Sequence, residues 1–481
     1  MAASFFFYDL ETSGFNPRSA RTMQFAGQRT DLNLKPLGEP VNQLIKLTPD
    51  MLPEPNAVLV TGITPQQTLA DGLTEVEFLK LFYDQVVQPN TIFVGFNSIR
   101  FDDEFMRFLN YRNFYDAYAW QWQDGCSRWD LLDVVRMTRA LRPEGIKWPF
   151  APDGKPANRL EFLTSVNKLS HDNAHDALSD VRATIAVAQL VRSKQPDLFD
   201  YLQGMRDKNK ISTLATAGQP FVYTSGRYSS QNLHTTVVVL LTKHPEQDAA
   251  LVYDLRVDPT PFLDMSVEQL VEAWRFTKDP AALSLPVKTL KYNRCPAVAP
   301  LGVIKDSAVQ ERLSLPLATI TKHLEILQKQ RVGFAKKVLQ AVARLDEERD
   351  RGQTALVVDE LTVDERLYDS FVKDGDKQAM SVVRAAAPAE LGNLTNGFHD
   401  DRLKQLLPLY KARNFPQALD ATERATWDDF CHKKLLTGGD QSRLAKYFAR
   451  LEELSAGKPT GQEKYLLEEL QLYGESIVPT A

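Results

Sequence analysis

A chain of 481 residues with 43% hydrophobic content is globular and too long for one ordinary core, so two or three domains are expected. The longest aliphatic run, Val237 to Leu241, is too short for a bilayer, and no basic segment precedes the apolar start as in a signal peptide; Cys126, Cys295 and Cys431 form neither a CxxC pair nor an even framework. These features argue against a membrane protein, a secreted disulfide scaffold and a cysteine zinc site, leaving the reducing cytoplasm as the expected location, and the net charge of −5 means that any contact with a polyanion rests on local patches.

The first element is an apolar run, Phe5 to Tyr8, read as a strand that delivers Asp9 and Glu11 at its end. Alternate strand residues share a face, so both carboxylates aim at one point. Like charges held together cost free energy unless something positive sits between them, which makes a divalent metal site the first hypothesis. Further strand-like runs lie near Phe25 to Thr30, Leu44 to Leu47 and Thr91 to Phe96. After the last of these, GFNSIRFDDEF places Asp102 and Asp103 before a helical pattern, where either is a ligand or a helix cap. YRNFYDAYAWQW follows Arg107 and precedes Arg128, Trp129, Arg136, Arg142 and Arg159; most of Phe114, Tyr118, Trp120 and Trp122 are expected to pack rather than stack on bases. HDNAHDALSDVRATIAVAQLV then sets His175 five residues ahead of Asp180. Five helical steps turn through about 140°, so His175 is expected at the entrance to the helix, swinging in, rather than on the face of Asp180. Residues 1 to about 196 therefore read as an α/β domain.

Pro196 and the polar stretch Asp207 to Lys210 mark a change of character. From Tyr201 to His244 five basic residues face one acid among Tyr201, Tyr223 and Tyr228, a mixture suited to single strands, whose unstacked bases lie on rings. Pro220 to Ser225, Thr235 to Thr242, Ala250 to Leu255 and Leu285 to Tyr292 are strand-like, and Ile320 to Leu345 is helical. A linker is expected at Asp346 to Thr354, where charge and Gly352 interrupt the pattern. Beyond it, Asp364 to Lys373, Asp400 to Arg413, Thr422 to Leu436 and Gly461 to Tyr473 read as amphipathic helices.

The order DxE, NxxxFD, HxxxxD resembles the histidine branch of the DEDD superfamily of 3′ to 5′ exonucleases. FFYDLETSGFNPRSARTMQFAGQRTD, NSIRFDDEF, SRWDLLDVVR, ALRPEGIKWP, NAHDALSDVRATIA and the distal YKARNFPQALD look like the bacterial exonuclease I family, so the resemblance spans nearly the whole chain. It implies an α/β RNase H-like exonuclease domain over 1–196, an SH3-like domain with a helical extension over 197–345, and a C-terminal all-helical domain over 355–481 that completes a C-shaped groove. It implies further that Asp9, Glu11, Asp102 and Asp180 bind two Mg²⁺ ions, with Mn²⁺ as a substitute, and that His175 is the general base. Asp103 is left as a cap or supporting group. The expected substrate is single-stranded DNA with a free 3′ end, degraded processively to 5′ mononucleotides in DNA repair and recombination, with Arg107, Arg142, Arg159 and Tyr201 as candidate strand contacts. The family also implies a monomer that binds the acidic C-terminal tail of single-stranded DNA-binding protein. Lys322, Lys329 and Arg331 lie near the relevant helical region, but the notch is not assigned.

Overall fold

The computed structural model describes residues 2–171, 176–275, 279, 282–357 and 362–478, with only the helical backbone for 350–357. Its contacts divide the chain into two compact units, one made of Met1–Ser127, His171–Arg182 and Leu361–Ala481, the other of Arg128–Ser170 and Ala183–Glu360. His175 lies outside the described residues.

In the first unit β1 (Ser4–Thr12), β2 (Thr22–Thr30), β3 (Val41–Leu44) and β4 (Thr91–Gly95) form a sheet in the order β3-β2-β1-β4, and the chain leaves the unit in β5 (Ser127–Asp130). β1 runs antiparallel to β2 and parallel to β4. As an inner strand buried on both faces it reads as an unbroken run, Phe5 to Tyr8, instead of an alternating one. The pairing sets Asp9 opposite Ala26 and Glu11 opposite Gln24, then slips after Glu11. Such bulges re-aim side chains and are frequent beside active sites. Under the sheet Phe6, Tyr8, Phe25, Phe78, Phe82, Phe93 and Trp120 form one aromatic core, with Trp120 edge-on to Phe93 at 4.9 Å between ring centroids.

The distal part of the same unit is helical: Asp374–Ala385, Asp401–Asn414, Ala421–Leu436, Arg443–Ala456 and Gly461–Ser476. The expectation of a helix over Asp364 to Lys373 is corrected. The chain there makes two short 3-10 turns, Val363–Glu365 and Leu367–Asp369, because Val363, Asp364 and Glu365 are all buried and a regular amphipathic helix would turn some of them to water.

The second unit carries an all-antiparallel five-stranded sheet, β6 (Phe221–Thr224), β7 (Thr235–Lys243), β8 (Ala249–Asp254), β9 (Val287–Lys291) and β10 (Ala297–Pro300), in the order β10-β6-β7-β8-β9. A helix over Leu317–Val357 is fastened to it by His323 Nδ1 at 2.8 Å from the Leu255 carbonyl and by the Tyr253–Phe334 ring contact. This helix continues through Asp346 to Thr354, where a linker was expected. A single glycine costs a helix only about 1 kcal/mol, and the charged run is a paired, solvated face: Arg349 meets Asp346 at 3.0 Å and Arg275 meets Glu348 at 2.7 Å. Among the described residues no helix is long and apolar enough to cross a membrane.

Candidate active site

The β1 strand and the helix Ala177–Lys194 bring ligand atoms of Asp9, Glu11 and Asp180 within 4.8 Å of one another. Glu11 is buried, whereas Asp9 and Asp180 keep partial exposure. Asp180 stands in the first turn of its helix, where the backbone N–H groups favour negative charge. The helix start is tied to the sheet by Gln24, the register partner of Glu11. Its Nε2 donates to Asp176 Oδ1 at 3.3 Å and its Oε1 accepts from the Ala177 N–H at 3.4 Å, while Asp176 Oδ2 caps the helix by accepting from Ser179 N–H at 3.0 Å.

Asp102 opens the helix Asp102–Arg112 and is buried. It is not part of the three-carboxylate group, but its charge acts on both β1 acids. The dry surroundings, then the charges of Asp102, Glu11, Asp180 and Asp176, push the Asp9 carboxyl well above its usual range. The same desolvation, followed by Asp180, Asp102 and Asp176, pushes Glu11 up to about 9. The strongest charges acting on either group are thus all carboxylates, and a hard divalent cation is the counter-charge that such an oxygen donor set fits.

Asp103 accepts a hydrogen bond from the Tyr8 hydroxyl and so joins the helix to the residue before Asp9. Sequence reasoning missed Gln24, Asp176 and His171. His171 Nε2 lies 2.5 Å from Asp180 Oδ1, and its only signal in the sequence was a second histidine upstream of HxxxxD.

The candidate strand contacts fall into different settings. Arg107 is buried, its guanidinium donating to Glu104 at 2.6 Å and Gln121 at 3.0 Å and lying over the Tyr118 ring, because the helix that carries it is covered nearly all round. Arg142, at the end of the helix Leu131–Leu141, is partly exposed and donates to the Leu141 carbonyl. Arg159 is exposed, 3.7 Å from Glu161. Tyr201, on the helix Pro196–Gly204, packs part of its ring against the core that contains Met205 and Phe221. These last three belong to the second unit. Of the aromatics expected to pack, Phe114 and Trp120 do so, but Trp122 is 63% exposed.

Three family models match: Exonuclease over residues 6–188, Exonuclease I SH3-like domain over 206–344, and Exonuclease I C-terminal domain over 361–477. Exodeoxyribonuclease I of Escherichia coli (strain K12) is 39% identical over 484 residues, covering 99% of this chain and 98% of that protein. The structure of E. coli exonuclease I in complex with a dA16 oligonucleotide superposes with a TM-score of 0.91 at 37% identity, over 99% of this chain and 100% of the other. An ExoI/SSB-Ct complex superposes with a TM-score of 0.90 at 37% identity over the same shares. With matches along nearly its whole length on all three counts, the chain belongs to the exodeoxyribonuclease I family, metal-dependent 3′ to 5′ exonucleases of single-stranded DNA.

Proposed function

We propose that the chain removes 5′ mononucleotides successively from the 3′ end of single-stranded DNA, with Asp9, Glu11, Asp102 and Asp180 holding two Mg²⁺ ions, Mn²⁺ as a substitute, and His175 as general base. The observation that carries this reading is the group of Asp9, Glu11 and Asp180, within 4.8 Å and surrounded by further acids. Ions bound there supply acidification of the attacking water and charge stabilisation at the departing 3′ oxygen. Pairing with β2 fixes the two acids on β1, and Gln24 fixes the entrance of the helix that bears Asp180. An imidazole with an ordinary pKa near 6.5 suits His175 to accept the water proton at neutral pH.

Arg107, Arg142, Arg159 and Tyr201 are the proposed contacts to the strand, and 1–196, 197–345 and 355–481 the proposed functional division. The chain acts as a monomer in the cytoplasm. Its partner is the C-terminal tail of single-stranded DNA-binding protein, by relation to the ExoI/SSB-Ct complex.

The test is degradation of an internally labelled single-stranded DNA with a free or a blocked 3′ end, in Mg²⁺ or EDTA, beside Asp180→Ala. Mononucleotide release only from the free end, only with Mg²⁺ and only by the wild type is the expected result. Tight DNA binding without release would instead make the chain a binding module.

A further inference from the structure

Two elements that carry Asp9, Glu11 and Asp102 are gripped by one short piece of chain from far along the sequence, the paired 3-10 turns Val363–Glu365 and Leu367–Asp369. On one side is the loop that leaves β1 just after Glu11. Its base is closed by Ser13 N–H donating to the Arg21 carbonyl and Arg21 N–H donating to Ser13 Oγ, both at 2.8 Å, while at its tip Phe15 is 70% exposed. Arg21, itself buried, donates to Asp364 Oδ2 at 2.6 Å, and Arg18 lies 5.8 Å from the centre of the Tyr368 ring. On the other side is the helix Asp102–Arg112. Its Tyr111 hydroxyl donates to the Val363 carbonyl at 3.1 Å, and the Tyr368 hydroxyl donates to Glu104, two residues beyond Asp102. The turns are themselves anchored: Asp364 Oδ2 also accepts from Arg413 at 2.9 Å, and Arg413 reaches Asp50 at 2.8 Å.

Carboxylates that repel one another drive the elements bearing them apart, and a cation site demands that its ligand atoms stay within a few tenths of an ångström of their places. The loop is open at its tip and the helix is joined to β1 at its start by the Tyr8–Asp103 hydrogen bond, so a further tie between loop and helix resists splaying under that repulsion. We propose that Val363–Tyr368 is a clasp that fixes the spacing between the β1 carboxylates and Asp102, so that Asp364 and Tyr368 are positioning residues of the nuclease site although neither meets the substrate or the ions. This rests on the ion-binding role proposed above for the carboxylates. It makes ion affinity depend on a segment contributed by the C-terminal part of the chain.

The test is calorimetric titration of the full chain with Mn²⁺ in the absence of DNA, for the wild type, Asp364→Asn, Tyr368→Phe and Asp9→Ala, each with its melting temperature and its oligonucleotide affinity in EDTA. Groups that orient metal ligands typically change metal affinity by 10- to 100-fold, so Asp364→Asn is expected to bind Mn²⁺ about tenfold more weakly. Tyr368→Phe is expected to shift in the same direction by less, and both variants are expected to keep wild-type affinity for DNA. A purely structural role would lower the melting temperature and leave the Mn²⁺ affinity of the folded protein unchanged; that outcome overturns the clasp. Should Asp364→Asn fail to fold, Tyr368→Phe decides alone, since its ring is 43% exposed and the substitution removes one oxygen. A wild type that binds Mn²⁺ no better than Asp9→Ala would overturn the ion-site reading itself, and the clasp with it.

Discussion

Two groups of desolvated carboxylates lie in the same compact unit and titrate in opposite directions. Asp9 and Glu11 have other acids as their strongest neighbours and are pushed up. For Asp50 and Asp364 burial also pushes upward, but Arg413, Arg21 and Lys434 outweigh it and hold both well below the usual carboxylate range. Asp50 is bound by Arg413 at 2.8 Å and Lys434 at 2.6 Å. The difference separates a finished ion network, whose charges are matched by the chain itself, from a set whose strongest neighbours among the described residues are further acids. Burial and residue type are shared; the sign of the neighbours decides whether a carboxylate serves the fold or the reaction.

The sharpest way to break this contrast is to remove a charge from each side. Asp180→Ala should abolish nearly all turnover while leaving DNA affinity in EDTA and the melting temperature of the metal-free protein near wild type, measured by single-turnover hydrolysis and by thermal denaturation. His175→Ala should lose roughly 10²- to 10⁴-fold in rate, the range for a general base; a near-normal rate would hand the proton to another group, with His171 the first to examine. On the other side, Asp50→Ala takes the carboxylate from buried Lys434 and leaves Arg413 with Asp364 alone, and should cost about 3–5 kcal/mol in urea unfolding, the usual effect of breaking a buried pair.

The two groups should also respond oppositely to pH. A raised carboxyl pKa means that the native state holds a proton the unfolded chain has released. The metal-free protein therefore loses the Glu11 contribution to stability as pH rises from its ordinary 4.5 through about 9, and Glu11→Gln should flatten that slope. Asp50 and Asp364, being depressed, contribute stability that is present above the ordinary aspartate pKa and is lost as pH falls below it. Melting temperatures across pH 3 to 9 in EDTA check both limbs. The smallest expected effect is a rise in melting temperature on adding Mg²⁺, present in the wild type and absent in Asp9→Ala; equal rises in the two would break the shared-ion picture.

Much of the architecture was legible because its signals are local. The unbroken Phe5 to Tyr8 run, the β-branched stretch from Thr235 and the apolar spacing between Asp400 and Arg413 each report a strand or helix through their own residues, and strands or helices stand there. One reading failed where a local pattern met a distant partner. Asp364 to Lys373 reads as an amphipathic helix on its own residues, whereas Asp364 is claimed by Arg21 and Arg413. Arg107 reads as a strand contact from the basic and aromatic residues around it, and the fold adds what that pattern does not show, that Glu104 and Gln121 hold its guanidinium inside.

The sequence by itself determined the DxE pair on a strand, the acid at the head of each of two helices and the family, because residue type and spacing are written along the chain. Only the tertiary structure decided which acids meet. It brought Asp180 to β1 across some 170 residues, added Asp176 and His171 to their surroundings, and gave Asp103 to Tyr8. The physical reason is that a carboxylate acquires its chemistry from the charges around it, and those charges arrive from elements whose approach is set by packing, not by sequence distance.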